Sequence, residues 1–441
     1  MRQTLSLLLL LLFHLSATAQ ERDERTLLWR ISGNGLKQPS YLYGTMHVSA
    51  RVAFNLTDSF FVALDRSQVV ATELDPDTWL AEMLTSDLYR LAEGLERPGS
   101  SGDLYRELFR SDALDRESLY AACTRRPDLV DHLMFRNEEA DLDYAESTFL
   151  DMFLYQAARK LGKQTIGLER MDDVVSLSLM ANMSEDDDED PAEEERRRIA
   201  AERMRKDGRS MWQRMEEAYR QHDLAAIDTL FDMQSNSRYR HFFIDERNRN
   251  MVEAMEAMMA TKTVFSGIGA MHLPGPNGMI ELFRARGYTV SPVLSKSSSR
   301  STARKQRIDD MYLPPAVRTW WSSDSLMTMD LPGVAHEVPE SLEPWLGTLC
   351  TDQVNGTFFS VSRIPTGAEV LGRDARSIMA RIDSALFEVI PGRTISHKEV
   401  VDPSGHPAHV VTATSVRGER MNYRILVAPS EVIVVRSVCR D

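Results

Sequence analysis

The stretch Ser40-Tyr41-Leu42-Tyr43-Gly44-Thr45-Met46-His47 has a pattern that returns far downstream in the chain. An aromatic, β-favouring run stops at Gly44, and His47 follows three residues later. The downstream copy is Thr263-Val264-Phe265-Ser266-Gly267-Ile268-Gly269-Ala270-Met271-His272. The chain has only ten histidines in 441 residues, so the matched placement of two of them predicts a shared role.

Each copy reads as a strand that ends in Gly-x-Met-His. The carboxyl ends of strands in a parallel or mixed sheet open onto a crevice in which ligands bind. Gly44 and Gly269 would permit either a positive φ or a close backbone approach. His47 and His272 would then face the crevice, where an imidazole with a pKa near ~6.5 can bind a metal or move a proton.

Acidic residues follow two further predicted strands. Residues 69–74 read as a buried strand with Glu73 near its carboxyl end, and a carboxylate beside two histidines is a common metal-ligand set. The alternative for Glu73 is a surface acid at a strand end.

A predicted helix over residues 141–161, Gly162 as its C-cap and a strand over residues 164–168 form a crossover that ends at Glu169. Asp151 lies within this helix, where acids are more often solvated or involved in packing. Glu169 is therefore the better of these two candidates, and the methionines Met134, Met152 and Met171 are assigned to the core.

Residues 184–195 form an acidic run that predicts a flexible surface insertion. The following helix, from about residue 196 to 221, is predicted to project as a lid. Further on, Arg247 and Asn248 lie in or before a helix. Spacing alone favours a solvated charged face for these two residues.

Several stretches together resemble the TraB/PrgY/GumN family, which is similar to the Tiki metalloproteases: Leu27-Leu28-Trp29, residues 41–47, Glu73-Leu74-Asp75-Pro76, Gly162-Lys163, Gly167-Leu168-Glu169, Glu246-Arg247-Asn248 and residues 267–287. The resemblance covers about residues 26–295. It implies a hydrolase whose divalent ion (Mn, Co or Zn) is bound by His47 and His272.

In the same resemblance, Glu73 would be a third ligand or the general base. Arg247 and Asn248 would orient the substrate or steady the oxyanion. Gly44, Gly269 and Glu169 would lie next to the metal ligands and position them without binding the ion.

Residues 1–20 predict a cleaved secretory signal peptide, with a positive start, an apolar run over residues 5–12 and Ala17-Thr18-Ala19 as the cleavage pattern. The apolar run is shorter than the ~20 residues of a transmembrane helix. We therefore expect an exported, periplasmic or secreted, protein without a transmembrane segment in its mature chain. A net charge of −14 argues against nucleic acid as a partner.

The predicted fold is α/β: a mixed central sheet flanked by helices over residues 21–295, with a long helical insertion. A Ser-rich, basic linker follows over residues 296–318, and a smaller α+β domain spans residues 319–441. His397, His406 and His409 in that domain are interpreted as solvated loop histidines. Cys350 and Cys439 would form a disulfide in an oxidising compartment, and free thiols are the alternative.

Two functional hypotheses remain open from the sequence. One is a metal-dependent peptidase of the Tiki type that acts on a peptide or protein. The other is an exported, non-catalytic protein that binds a peptide or small ligand in the same crevice. A third, weaker hypothesis is an esterase, because metal-bound water also attacks esters.

Overall fold

A β-hairpin begins the fold. Strand β1 (Leu28–Gly33) pairs antiparallel with β2 (Ser40–Thr45). The turn between them uses Gly33, Asn34 and Gly35, with φ angles of 81°, 43° and 81°. Glycine adopts this left-handed region without a steric penalty, and asparagine tolerates it. Every residue of β2 is buried, as expected for its apolar, aromatic run.

The computed structural model describes residues 25–87, 119–120, 122–123, 130, 146–183, 191–205, 208–339, 347–366, 374–390, 392–415 and 418–439. Its further strands are β3 (Val69–Thr72), β4 (Gln164–Gly167), β5 (Val264–Gly269), β6 (Tyr288–Pro292), β7 (Val317–Trp321), β8 (Thr328–Pro332), β9 (Ala335–Glu337), β10 (Thr348–Asp352), β11 (Thr357–Pro365), β12 (Arg393–Val401), β13 (Pro407–Thr414), β14 (Arg420–Val427) and β15 (Glu431–Cys439).

Its α-helices are α1 (Asp58–Arg66), α2 (Pro76–Thr85), α3 (Leu150–Lys160), α4 (Met171–Asn182), α5 (Pro191–Arg205), α6 (Met211–Arg220), α7 (Leu224–Asp232), α8 (Ser237–Arg240), α9 (Arg247–Met259), α10 (Met279–Ala285), α11 (Ser299–Asp309) and α12 (Ala375–Val389). Short 3₁₀ turns cover Arg51–Phe54 and Ala270–His272, and a π-helix covers His241–Glu246.

The described chain groups into two compact units, each discontinuous in sequence. The first comprises residues up to 46, 55–68 and 184–305, and the second comprises residues 47–54, 69–183 and 306–441. The predicted domain boundaries are continuous segments and stay predictions. Helix α11 lies within the stretch predicted to be a linker.

In the first unit, β5 lies parallel to β2, and β6 lies antiparallel to β1 on the other side of the hairpin. The order β5-β2-β1-β6 combines parallel and antiparallel pairs, which confirms the predicted mixed sheet. The register pairs Gly44 with Ile268 and Thr45 with Gly269. Both Gly-x-x-His motifs therefore leave neighbouring parallel strands at the same edge.

In the second unit, β3 and β4 are parallel, as the crossover predicted. Gly162 lies between helix α3 and strand β4, and its φ of 69° is the left-handed conformation that commonly ends a helix. Helix α3 begins at Leu150, later than the predicted residue 141. Met152 and Met171 are core residues, as predicted, and Met134 lies outside the described residues.

The C-terminal part of the second unit is a seven-stranded antiparallel sheet in the order β12-β13-β14-β15-β11-β10-β9. Helix α12 belongs to the same hydrophobic core: Ile378, Ile382 and Leu386 cluster with Val411 and Tyr423 of the sheet. This confirms the predicted α+β character of the C-terminal region.

The predicted long helix over residues 196–221 is wrong, because α5 and α6 are separate helices. Ser210 caps α6 with a capping box, which ends any continuous helix there. The buried Tyr219 of α6 donates its hydroxyl hydrogen to the carbonyl oxygen of Gly44 at 2.9 Å. The end of α6 is thus held to strand β2 and does not project as a lid.

Of the two alternatives for the cysteines, the structure has the free thiols: Cys123, Cys350 and Cys439, which all lie in the described part of the chain, are unbridged. The register explains why. Cys350 lies on β10 opposite Phe359 of β11, and Cys439 lies on β15, on the far side of β11. Two strand spacings of about 4.8 Å exceed the roughly 7 Å limit for a disulfide between Cα atoms.

None of the helices in the described residues combines the length and apolar character needed to cross a membrane. The predicted signal peptide and residues 184–190 of the acidic run lie outside the described residues.

Candidate metal centre

In the second unit, His47, Glu73 and Asp151 form a cluster, hereafter the His47 cluster. Nδ1 of His47 is 2.9 Å from Oδ2 of Asp151, and Nε2 is 3.4 Å from Oε1 of Glu73. The two carboxylate side chains are only 11% and 14% exposed, whereas His47 is 35% exposed. One face of the imidazole therefore remains accessible between two largely buried acids.

The geometry of the His47 cluster suits a metal ligand. Nδ1–H donates to Asp151, which orients the ring and leaves Nε2 directed at Glu73. Two ligand atoms on one tetrahedral zinc ion, each about 2.0–2.2 Å from it, lie about 3.4 Å apart. A carboxylate behind a histidine is the usual second interaction of a metal-ligating imidazole. The donor set thus fits a divalent ion.

The two acids also control the charge of His47. Burial acts to lower its pKa, but the charges of Asp151 and Glu73, with their hydrogen bonds, raise it to about 10. Without an ion, the ring is protonated at neutral pH. An ion that binds Nε2 must displace this proton.

In the first unit, His272 and Asn248 form a second buried cluster, hereafter the His272 cluster. Nδ1 of His272 is 2.7 Å from Oδ1 of Asn248, and both side chains are at most 2% exposed. The amide nitrogen of Asn248 donates to the carbonyl oxygen of Asn277 at 2.8 Å. That bond assigns Oδ1 as the acceptor, so Nδ1 of His272 is the donor.

Behind this cluster, the side-chain amide of Asn277 donates to Oδ2 of the buried Asp245 at 2.9 Å. Asp245 lies in the π-helix His241–Glu246, directly before α9. Such π-helical turns are frequent at functional sites, since they rotate the following residues out of regular register.

The prediction of a solvated face for Arg247 and Asn248 is wrong, because they are 4% and 0% exposed. The guanidinium of Arg247 lies over the ring of Phe243, 5.2 Å from its centroid. A buried, stacked guanidinium is held in place and is poorly exposed to a large substrate.

Glycines allow the backbone around the His272 motif to pack closely. A Cβ at Gly44 would lie 3.0 Å from Leu273 and 3.1 Å from Ala270, so Gly44 serves a close approach. Gly269 has a φ of −50°, so positive φ is not its role. A Cβ at Gly278 would lie 2.1 Å from the carbonyl oxygen of Pro274, so the loop after the motif is tight.

Glu169 lies beside Glu73 through the backbone. Its N–H donates to the carbonyl oxygen of Glu73 at 2.8 Å, which continues the β3–β4 pairing past the strand ends. Of the two secondary candidates, Asp151 contacts His47, although the sequence interpretation ranked it below Glu169. Asn277 and Asp245 were missed altogether, because nothing in their spacing connects them with a histidine.

Fold and site together define an α/β protein with two histidines whose Nδ1 atoms are each hydrogen-bonded to a side-chain oxygen. The model of the TraB/PrgY/gumN family matches residues 27–292, more than half of the chain, so the chain belongs to that family. It is similar to Metalloprotease TIKI2 of Danio rerio, with 24% identity over 381 residues, 73% of this chain and 72% of that protein. It is also similar to Metalloprotease TIKI1 of Danio rerio, with 26% identity over 326 residues, 61% of this chain and 63% of that protein.

Proposed function

We propose that this chain is an exported metal-dependent peptidase in which Nε2 of His47 and Nε2 of His272 bind a divalent ion. One observation carries the proposal. In both Gly-x-x-His motifs, Nδ1 of the histidine is hydrogen-bonded to a side-chain oxygen, at 2.9 Å from Asp151 and 2.7 Å from Asn248. This pattern fixes the tautomer that a metal ligand needs.

The repeated motif is the second support for the proposal. Thr45 and Gly269 are paired on neighbouring parallel strands of the first unit, and His47 and His272 follow them in the sequence by two and three residues.

The roles of the residues follow from their contacts. Glu73, 3.4 Å from Nε2 of His47, would be the third ligand or the general base. Asp151 and Asn248 would position the two imidazoles, and the buried Arg247 would hold neighbouring side chains. When bound, Mn, Co or Zn would polarise the scissile carbonyl and lower the pKa of a water ligand towards ~7.

The substrate class is proposed from the relatives, whose names describe metalloproteases. A peptide or protein substrate agrees with the expected export of the chain. Glu73 separates this proposal from the alternative of a non-catalytic binding protein. A hydrolase needs this carboxylate for turnover, whereas a binder can retain affinity without it.

The experiment measures metal content and peptide cleavage for the purified wild type and for His47→Ala, His272→Ala and Glu73→Gln. Mn, Co and Zn are each added back to metal-free protein. The matched control is His222→Asn, which changes a histidine of the first unit that lies outside both clusters and has a φ of 57°. Asparagine tolerates that conformation.

We expect both His variants to lose the same bound ion and to lose cleavage, with the control unchanged. Glu73→Gln should lose cleavage. Wild-type protein that binds no ion and cleaves no peptide would refute the peptidase. Wild-type protein that binds the ion and peptides without cleaving them would establish the binding alternative.

A further inference from the structure

Three metal-binding side chains meet in the C-terminal sheet, away from the residues proposed for catalysis. They are Asp383 on α12, His397 on β12 and His409 on β13. Nε2 of His397 is 2.8 Å from Nδ1 of His409 and 3.7 Å from Oδ1 of Asp383. One ligand atom from each residue lies within 4.8 Å of the other two.

The register of strands β12 and β13 brings His397 and His409 together. His397 is paired with Val411, and His409 is paired with Glu399, so the two histidines are diagonal neighbours across β12 and β13. Directly paired residues point to the same face of a sheet. Val411 packs into the core formed with Ile382 of α12. The two histidines therefore face the helix that carries Asp383, and the prediction of solvated loop histidines is wrong for both.

His409 is difficult to explain as a packing residue. It is fully buried, and its ring stacks on that of His397 with centroids 5.0 Å apart. Its Nδ1 faces Nε2 of His397, so two imidazole nitrogens and the Asp383 carboxylate are directed at one point.

We propose that Asp383, His397 and His409 form a second divalent metal site, of the type with two imidazoles and one carboxylate, suited to Zn²⁺ or Co²⁺. Imidazole and carboxylate are the ligands these ions accept. Ligand atoms on one zinc ion lie about 3.4 Å apart, and the separations of 2.8 and 3.7 Å measured from Nε2 of His397 bracket this distance. The third separation, between His409 and Asp383, is within 4.8 Å.

The site has an entrance and a structural consequence. The Asp383 side chain is 48% exposed, so an ion can enter from solvent and keep a water ligand. An ion held there cross-links α12 to the edge strand β12 and its neighbour β13. Its role is therefore to stabilise the edge of the sheet, because binding to the folded state alone adds to stability.

The test is a zinc titration of the metal-free full chain against a competing indicator, with thermal unfolding measured in parallel. The variants are His397→Gln and Asp383→Asn, whose side chains are partly exposed and whose folding is checked by circular dichroism. The matched control is His406→Ala, which changes the histidine in the turn between β12 and β13, outside the cluster. His47→Ala reports on the proposed catalytic ion separately.

We expect His397→Gln and Asp383→Asn to bind one zinc equivalent fewer than wild type and to lose part of the zinc-induced rise in Tm. His406→Ala should match wild type, and His47→Ala should retain this equivalent. Unchanged stoichiometry in both cluster variants would overturn the second site. Loss of the same equivalent in His406→Ala would overturn it as well, because that residue is not a ligand.

Discussion

The substitution Asp151→Asn tests the positioning of His47 directly. Asparagine keeps an oxygen 2.9 Å from Nδ1 but removes the negative charge. Loss of such a carboxylate behind a metal-ligating histidine typically weakens metal affinity about 10- to 100-fold, or roughly 1.4–2.7 kcal/mol. This is the expected loss when no proton competes for His47.

The loss of metal affinity in Asp151→Asn should depend on pH, because a proton competes with the ion for His47. Asp151 raises the pKa of His47, so Asp151→Asn weakens the binding of the proton as well as that of the ion. At neutral pH the wild-type ring is protonated, and the two losses partly offset each other. As pH rises towards about 10, proton competition in the wild type fades and the deficit in metal affinity should widen.

The assay is zinc competition with a chromophoric chelator at pH 7, 8 and 9.5. The matched control is Asp172→Asn, which changes a carboxylate of the same unit that accepts a hydrogen bond from Ser86. A deficit that does not change with pH would show only structural damage, and the absence of a deficit would refute the reasoning.

Four further predictions concern His47, Asn248 and Gly278. The proton on His47 should make the metal affinity of the wild type rise by about tenfold per pH unit below pH 10, since one proton is released per ion bound. Calorimetry in buffers of different ionisation enthalpy measures the number of protons released. In the metal-free protein, the pKa of His47 is raised above its value in the unfolded chain. The contribution of His47 to the free energy of unfolding is therefore fully present below pH ~6.5 and is lost as pH rises through about 10. Urea unfolding in the presence of a chelator measures this loss. Asn248→Ala should weaken metal binding about 10- to 100-fold, because His272 loses the acceptor for its Nδ1 proton, and the same competition assay measures it. Gly278→Ala should lower the free energy of unfolding by about 1–3 kcal/mol, since the new Cβ overlaps the carbonyl oxygen of Pro274, as denaturant titration would show.

The strands that carry the two motifs were predictable because their signals are local. An aromatic or β-branched run that stops at a glycine indicates a strand end without knowledge of its neighbours. The β3–β4 crossover was predictable for the same reason, since Gly162 marks the helix end. The direct parallel pairing of β2 with β5 was not predicted, because the repeated motif indicates two similar strand ends without indicating that the strands are neighbours.

The partners of the histidines were not predictable, because they come from distant elements. Asp151 is 104 residues from His47 in sequence, and its position within a helix resembles that of many solvated acids. The π-helix before Arg247 shifts Arg247 and Asn248 out of the regular helical register from which a solvated face was predicted for them. In the C-terminal sheet, β12 is an edge strand with mostly exposed side chains, so its polar sequence resembled a loop and concealed the register of His397 with His409.

The two histidines of the proposed catalytic site have chemically different partners, and the difference matters for charge. The His47 cluster supplies two carboxylates, Asp151 and Glu73, which together offset the two charges of a divalent ion. The His272 cluster uses the neutral amide of Asn248, so it fixes a tautomer without adding a third negative charge to a fully buried position. An unpaired charge there would cost several kcal/mol. In the proposed site, the partly exposed, acidic cluster would attract the ion and make its binding depend on pH, and the buried neutral cluster would orient the second imidazole.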